Sequence, residues 1–224
     1  MLKNENEVLE TNGIYYIYKN GKRKKYESWL SGIFSFLYDP IMSKSVFPKT
    51  LGSSMEKHEL FLKDKLKSIH DQEVLELATG SGNLSQFLPT DNRYSGVDVS
   101  EGLLKIAFKK FYKAGFKNAK LFLCGAEELP FKDNFYDVCV CNLSLNFFNG
   151  LDSVINELKR VLKTGSKFIC SVPVTGRNKR KNTIRGKLYS ENELKDIFEN
   201  KGFSFKPYDF KNGSLLYFSA TLEE

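Results

Sequence analysis

The apolar positions of this chain change period several times, and each change marks an element. Gly13-Ile14-Tyr15-Tyr16-Ile17-Tyr18 is a run of β-formers, and Asn20-Gly21 is a hairpin turn signal. A hairpin is predicted there, although its returning arm, Lys22 to Tyr26, carries few apolar residues. Residues 1–12 show no period and predict a mobile start. Ser28 to Tyr38 is apolar nearly all round a helix, so it must bury itself against the core, a second copy or a substrate pocket. Ser53 or Ser54 opens a helix running to about Ile69, with Ser53 and Glu56 spaced as a capping box. From there strands and helices alternate. Strands are predicted over 74–77, 93–98, 120–124, 136–142 and 166–174. The helices between them cover 82–88, 100–112 and 151–162, the last capped by Gly165. Ser190-x-x-Glu193 is a second capping box, and two final strands, 203–210 and 214–222, flank the turn Asn212-Gly213. Such alternation with a terminal hairpin predicts a mostly parallel sheet with one antiparallel edge.

One stretch organises the rest. Val74-Leu75-Glu76-Leu77 is a buried strand, Ala78-Thr79-Gly80-Ser81-Gly82 is a tight glycine turn, and an apolar-periodic segment follows. A turn of this kind lets a ligand approach the backbone and aims N–H groups at it. The next strand, Tyr94 to Asp98, ends in a carboxylate, the usual partner of ribose hydroxyls in doubly wound folds. Together they form half of a nucleoside site. The dinucleotide reading is disfavoured, because the third glycine of that fingerprint is missing and no second mononucleotide half follows.

Composition changes this picture little. With 224 residues, 41% hydrophobic and 27% charged, the chain fits one globular core with a small appendage. No run approaches the roughly 20 apolar residues of a membrane span. The polar, acidic start Met1 to Glu10 is unlike a secretory signal. Cys124, Cys139, Cys141 and Cys170 fall in predicted core strands and are expected as reduced thiols of a cytoplasmic protein. Cys139-x-Cys141 shares one strand face, but no histidine lies near it in sequence, so packing is expected rather than a metal. The net charge of +7 concentrates in clusters at 21–25 and 177–187. Such runs are most often solvated loops, and otherwise they contact phosphates or acidic surfaces.

The ordered set of the glycine turn, Asp98-Val99-Ser100-Glu101-Gly102-Leu103-Leu104, Ala126-Glu127-Glu128-Leu129-Pro130-Phe131 and Phe135 to Asn142 resembles the class I S-adenosylmethionine-dependent methyltransferases. The likeness is to the broad methyltransferase-11 type that includes the ubiquinone and menaquinone C-methyltransferases, and it covers roughly Ser54 to Leu222. It implies a Rossmann-like α/β fold, with a seven-stranded mostly parallel sheet, one antiparallel edge strand and helices on both faces. Residues 53–224 would form the cofactor-binding domain and 1–52 an N-terminal hairpin and helical lid. The cofactor implied is S-adenosylmethionine. Backbone at Ala78, Thr79, Gly80 and Gly82 would pass under its methionine part and ribose, and Glu76 would hold the turn or bind the amino group. Asp98 would take the ribose hydroxyls, Val99 and Leu103 would sandwich adenine, Ala126 would offer its N–H to the ring, and Asn142 would line the sulfonium end. Tyr38, in a Tyr38-Asp39-Pro40 element like one found in relatives, is a candidate to approach cofactor or substrate. The sequence departs from the family at Ala78, where glycine is usual, and at Thr164, where proline is usual. It departs also at Gly125, the usual place of an acid for the adenine amino group, which leaves that contact to Glu127, backbone or water. Asn146-Phe147 replaces a frequent His-His, so Asn146 could orient a substrate but supplies no base.

Methyl transfer asks mainly for proximity and a dry pocket, and a base only when the nucleophile holds a proton. The expected function is therefore methyl transfer to a small apolar or aromatic molecule with a reactive amine, phenolate or carbon. An RNA or protein methyltransferase using the basic clusters is the alternative, although Asn142-Leu143-Ser144 lacks the Pro-Pro-aromatic pattern of many base-amine enzymes. A non-catalytic cofactor-binding subunit is a third reading, disfavoured by the intact turn. Oligomeric state is not legible.

Overall fold

The computed structural model describes residues 1–3, 7–26, 38–177 and 184–223. The apolar helix expected over 28–38 lies almost wholly outside the described residues, as do 178–183 of the basic loop.

All strands join one sheet. In chain order they are β1 (Glu7–Thr11), β2 (Ile14–Lys19), β3 (Lys22–Arg23), β4 (Glu73–Leu77), β5 (Arg93–Asp98), β6 (Lys120–Leu123), β7 (Tyr136–Asn142), β8 (Leu162–Pro173), β9 (Phe203–Pro207) and β10 (Leu215–Leu222). Their order across the sheet is β1-β2-β6-β5-β4-β7-β8-β10-β9, with β3 beside β2. The five central strands β6-β5-β4-β7-β8 are parallel. β10 runs antiparallel between β8 and β9.

The expected seven strands are present, and three more extend them. Ile14, Tyr15 and Tyr16 of β2 pair in parallel with Leu121, Phe122 and Leu123, so the N-terminal hairpin continues the sheet. β1 then pairs antiparallel with β2 through Asn12-Gly13, and β3 does so through Asn20-Gly21. All four turn residues have positive φ, the geometry that Asn-Gly hairpins favour. The sheet is therefore ten-stranded with antiparallel pairs at both edges, and residues 7–11 form a strand, not a mobile start.

Side-chain alternation sorts the core into two layers. Val74, Leu121, Val138 and Val140 face helices α2 (Met55–Leu66) and α3 (Glu101–Lys113), which contribute Leu62, Leu66, Leu104, Ala107 and Phe111. Leu75, Leu77, Cys139 and Cys141 face α4 (Leu151–Val161) and α5 (Glu191–Glu199), which contribute Val154, Leu158, Leu194 and Phe198. The expected helix over 82–88 is only a 3₁₀ turn, Asn83–Gln86. Before α2, the helix α1 (Tyr38–Ile41) runs into a π-helical segment, Met42–Leu51.

Local signals explain most ends. Ser190 and Glu193 close a reciprocal capping box on α5. The N-cap of α2 is Ser54, and Ser53 does not cap it, because the Ser53 hydroxyl donates to the Asn212 carbonyl at 2.9 Å. The helix ends at Leu66, short of Ile69. α4 ends at Val161, and β8 begins at once with Leu162, leaving Gly165 inside the strand at φ 80°. Among the described residues no helix is long and apolar enough to cross a membrane.

Gly82 is where the glycine turn meets α3. It has φ 79°, and a Cβ there would sit 2.7 Å from the Ala107 Cα. Gly82→Ala combines a left-handed alanine with a backbone collision, so it should lower unfolding stability by about 2–4 kcal/mol in urea denaturation.

Candidate functional site

Two buried carboxylates at neighbouring strand tips hold the glycine turn. Asp98, at the end of β5, accepts the Gly80 N–H at 2.8 Å through Oδ2 and the Ser100 N–H at 2.8 Å through Oδ1. Burial raises its pKa, and these backbone N–H groups oppose that rise. Glu76, on β4, accepts the Thr79 hydroxyl at 2.5 Å and the Tyr94 hydroxyl on the same Oε2, and the two hydroxyls also contact one another. Burial pushes the Glu76 carboxyl up to about 7, and the Asp98 charge adds to the rise. Gly96 makes room for this cluster, since a Cβ there would lie 2.6 Å from the Tyr94 hydroxyl and 2.9 Å from Thr79 Oγ1. Ala78 carries φ 52°, so the glycine-to-alanine change leaves an alanine in left-handed backbone.

A cavity of about 400 Å³ opens beside the turn. Glu76, Ala78, Thr79, Gly80 and Ser81 form one wall, and Asn142 and Leu143 follow β7. The opposite wall is Asp39 to Phe47 of the N-terminal helices, with Met55, His58, Glu59 and Leu62 of α2. Asn142 Oδ1 accepts the Ser171 hydroxyl at 2.6 Å, which sets that side chain at the cavity edge.

The N-terminal helices are latched to the turn by Asp39. Its carboxylate accepts the Ser81 hydroxyl at 2.6 Å and the Asn83 amide at 3.2 Å, and it pairs with the Lys110 ammonium of α3 at 2.5 Å. Burial alone would raise the Asp39 pKa, but the bonds from Lys110 and Ser81 hold it below the usual value. Tyr38 begins α1, but its side chain lies outside what is described.

The predicted residues divide into two groups. Glu76, Ala78, Thr79, Gly80 and Asn142 meet at the cavity. Gly82, Asp98, Val99, Leu103, Gly125, Ala126 and Glu127 do not line it. Leu103 and Ala126 are buried, while Val99 is exposed. At Gly125 a Cβ would meet Glu127 Oε2 at 2.8 Å, so the Glu127 carboxylate occupies the space of the missing side chain. Tyr26 lies against the same glycine, its ring edge 3.7 Å from where a Gly125 Cβ would sit. Asn146 is buried away from the cavity, where its Nδ2 donates to the Arg185 carbonyl at 2.7 Å and pins the end of the basic loop.

Sequence reasoning named Asp39 only within the Tyr38-Asp39-Pro40 element, with the role given to Tyr38, and gave no role to Lys110, Tyr26 or His58. The spacing of His58, four residues before Leu62 on α2, is the one local signal for its inward side. The four cysteines are buried and free, with Cys141 opposite Cys170 in the β7–β8 register. Among the described residues no group of three metal-ligating side chains stands together. Both basic clusters are partly spent inside the protein: Arg23 pairs with Glu101 at 2.6 Å, Lys24 with Glu128, and Arg177 with Glu191 at 2.9 Å.

The pKa of Glu76 sets a pH dependence. As pH rises from 4.5, the unfolded chain releases this proton before the folded chain does, so folding stability falls until about pH 7. Replacing Glu76 by Gln should remove this slope. In urea unfolding the variant should gain about 3 kcal/mol on the wild type between pH 4.5 and 7.5.

Comparison with known proteins agrees with this geometry. Residues 75–170 match the methyltransferase domain family Methyltransf_11. The ubiquinone/menaquinone biosynthesis C-methyltransferase UbiE of Rickettsia felis is 33% identical over 142 residues, 60% of this chain and 52% of that protein. A demethylmenaquinone methyltransferase of Symbiobacterium thermophilum is 33% identical over 103 residues, 43% of this chain and 41% of that protein. The chain thus spans about half the length of the curated relatives it matches. The crystal structure of a SAM-dependent methyltransferase from Aquifex aeolicus superposes with a TM-score of 0.66 at 19% identity, covering 86% of this chain and 99% of that one. The chain therefore has the fold of the class I S-adenosylmethionine-dependent methyltransferases, and within it residues 75–170 are similar to the Methyltransf_11 methyltransferase domain.

Proposed function

We propose that this chain transfers the methyl group of S-adenosylmethionine to a small apolar or aromatic acceptor. The observation that carries the proposal is the cavity beside the glycine turn. One wall is the Ala78–Ser81 backbone with Glu76, and the other side brings a group of apolar side chains, Met42, Phe47, Met55 and Leu62, beside the polar Ser43, Lys44, His58 and Glu59. That pairing suits a polar cofactor tail next to a greasy acceptor. The quinone methyltransferases among the relatives act on molecules of that class.

The residues fit the cofactor at three points. The turn between Glu76 and Asp98 brings backbone to the cavity with no side chain larger than Thr79. Asp98, buried at the strand tip, has lone pairs left for ribose hydroxyls after accepting its two N–H groups. Glu127, whose carboxylate fills the space of the missing Gly125 side chain, would take the adenine amino group in place of the acid usual at that position. Val99, Leu103 and Ala126 would frame the ring, Gly82 would let the turn close on α3, and Asn142 would face the sulfonium end. When bound, S-adenosylmethionine supplies an activated methyl on sulfur, and attack on it is an in-line displacement. The chain's part is to exclude water, align the acceptor and lower the entropy of encounter. In this reading residues 53–224 are the cofactor-binding domain, and 1–52 are a hairpin and lid. Since the hairpin is built into the sheet, closure over the acceptor falls to residues 38–52, latched by Asp39. The nucleic-acid alternative is disfavoured, because Arg23, Lys24 and Arg177 already have acidic partners.

Thermal denaturation with S-adenosylhomocysteine tests the assignment. The wild type should be stabilised by ligand, whereas Asp98→Ala should fold, lose about 100-fold or more in affinity and show little stabilisation. Equal stabilisation of both proteins would refute the ribose contact.

A further inference from the structure

One polar side chain in the cavity wall takes no part in holding the glycine turn. His58 lines the cavity and is 3% exposed. Its Nδ1 lies 3.0 Å from the Tyr217 hydroxyl, and its ring packs 5.2 Å from that of Phe47. The Tyr217 oxygen also accepts a hydrogen bond from Asn212 Nδ2 at 3.0 Å.

Asn212 has a fixed orientation. Its Oδ1 accepts the Ser54 N–H at 2.7 Å, so its amide nitrogen is the end that donates to the Ser54 carbonyl and to Tyr217. Both amide hydrogens are thereby used. Tyr217 is fully buried, and among the described residues its hydroxyl has one other partner, His58 Nδ1. If Nδ1 carried the proton, the phenol hydrogen would be buried without an acceptor, which is unfavourable. With Tyr217 donating to Nδ1 the phenol hydrogen is paired and the histidine proton sits on Nε2, which leaves the Nε2–H as the one unpaired group, whereas the Nδ1–H form would leave both the phenol hydrogen and the Nε2 lone pair unpaired. Burial also lowers the His58 pKa to about 4, so the ring is neutral at ordinary pH. Nε2 has no partner among the described residues, and His58 shares the cavity lining with Phe47, Met55 and Leu62 and with Ser43, Lys44 and Glu59.

We infer that His58 presents a neutral Nε2–H donor to the cavity, where it binds a hydrogen-bond-accepting oxygen of phenolate or carbonyl type on the methyl acceptor. Tyr217 and Asn212 are positioning residues that fix its tautomer. The inference rests on the methyltransferase reading for the identity of the ligand, and on the free protein for the tautomer. It narrows the acceptor class. A nitrogen that already holds its proton takes none from the substrate, so the acceptor is one whose oxygen arrives anionic or as a conjugated carbonyl.

His58 and His70 are the chain's two histidines, so a ¹⁵N spectrum of the imidazoles contains only two rings. His70 is exposed, and its hydrogen bond to Asp91 raises its pKa, which distinguishes it by titration. The expected result in the free protein is a His58 ring in the Nε2–H form between about pH 6 and 8, with Tyr217→Phe shifting it toward the Nδ1–H form. The probe for the acceptor is 4-nitrophenolate, added with S-adenosylhomocysteine. It should move the His58 Nε2 signal, and His58→Ala should bind it about tenfold or more weakly while S-adenosylhomocysteine affinity is unchanged. His58→Gln, which keeps an amide donor, should recover part of the loss. An Nδ1–H tautomer in the wild type would overturn the inference. So would equal 4-nitrophenolate binding by wild type and His58→Ala, including no binding by either. Failure of S-adenosylhomocysteine to bind the wild type would instead strike the methyltransferase reading, since the tautomer is read without any ligand.

Discussion

The turn after β4 exists because two buried carboxylates share the work of holding it. Asp98 takes the Gly80 N–H, and Glu76 takes the hydroxyls of Thr79 and Tyr94. Burial raises the proton affinity of both, and the Asp98 charge raises that of Glu76 further. Such a pair is expensive, and it persists where backbone must be shaped for a ligand. The surrounding choices follow from it. Gly96 leaves space for the Tyr94 and Thr79 hydroxyls, and Gly82 lets α3 approach the turn through Ala107. Lys110 of the same helix then reaches Asp39 and ties the N-terminal helices down on the turn.

The N-terminal part of the chain serves this site twice. As β1–β3 it lengthens the sheet beyond β6 and brings Tyr26 and Lys24 over Gly125 and Glu128. As residues 38–51 it closes one side of the cavity. Its far end is anchored by the Asn212-Gly213 turn, where the Asn212 amide bonds both backbone groups of Ser54. The same amide donates to Tyr217, which lies against His58, so one turn residue connects the end of segment 38–51 to the cavity wall.

Most of the fold was legible because the central strands and α3 to α5 carry strong periods, with Ser100 and Ser190 capping α3 and α5. Asp98 and the glycine turn were legible because their order and spacing are local. The hairpin of β2 and β3 was legible from Asn20-Gly21, but β1 was missed for a physical reason. β1 is an edge strand with mostly exposed side chains, so Glu7–Thr11 shows no apolar alternation, although Asn12-Gly13 repeats the turn dipeptide of Asn20-Gly21. Ser53 looked like a cap because its spacing to Glu56 is right, but tertiary contact with Asn212 claims its hydroxyl. Asn146 looked like a site residue by its place after β7, yet it anchors the basic loop through Arg185. His58, Asp39 and Tyr26 reach the site across long sequence separations, which no local pattern records.

The central claim is that the turn between Glu76 and Asp98 holds S-adenosylmethionine and not a dinucleotide. Isothermal titration of the wild-type chain with S-adenosylmethionine, S-adenosylhomocysteine and NADH tests it most directly. The account predicts micromolar binding of both sulfur ligands, about −8 kcal/mol, and none of NADH. Binding of NADH alone, or of none of the three, would contradict it.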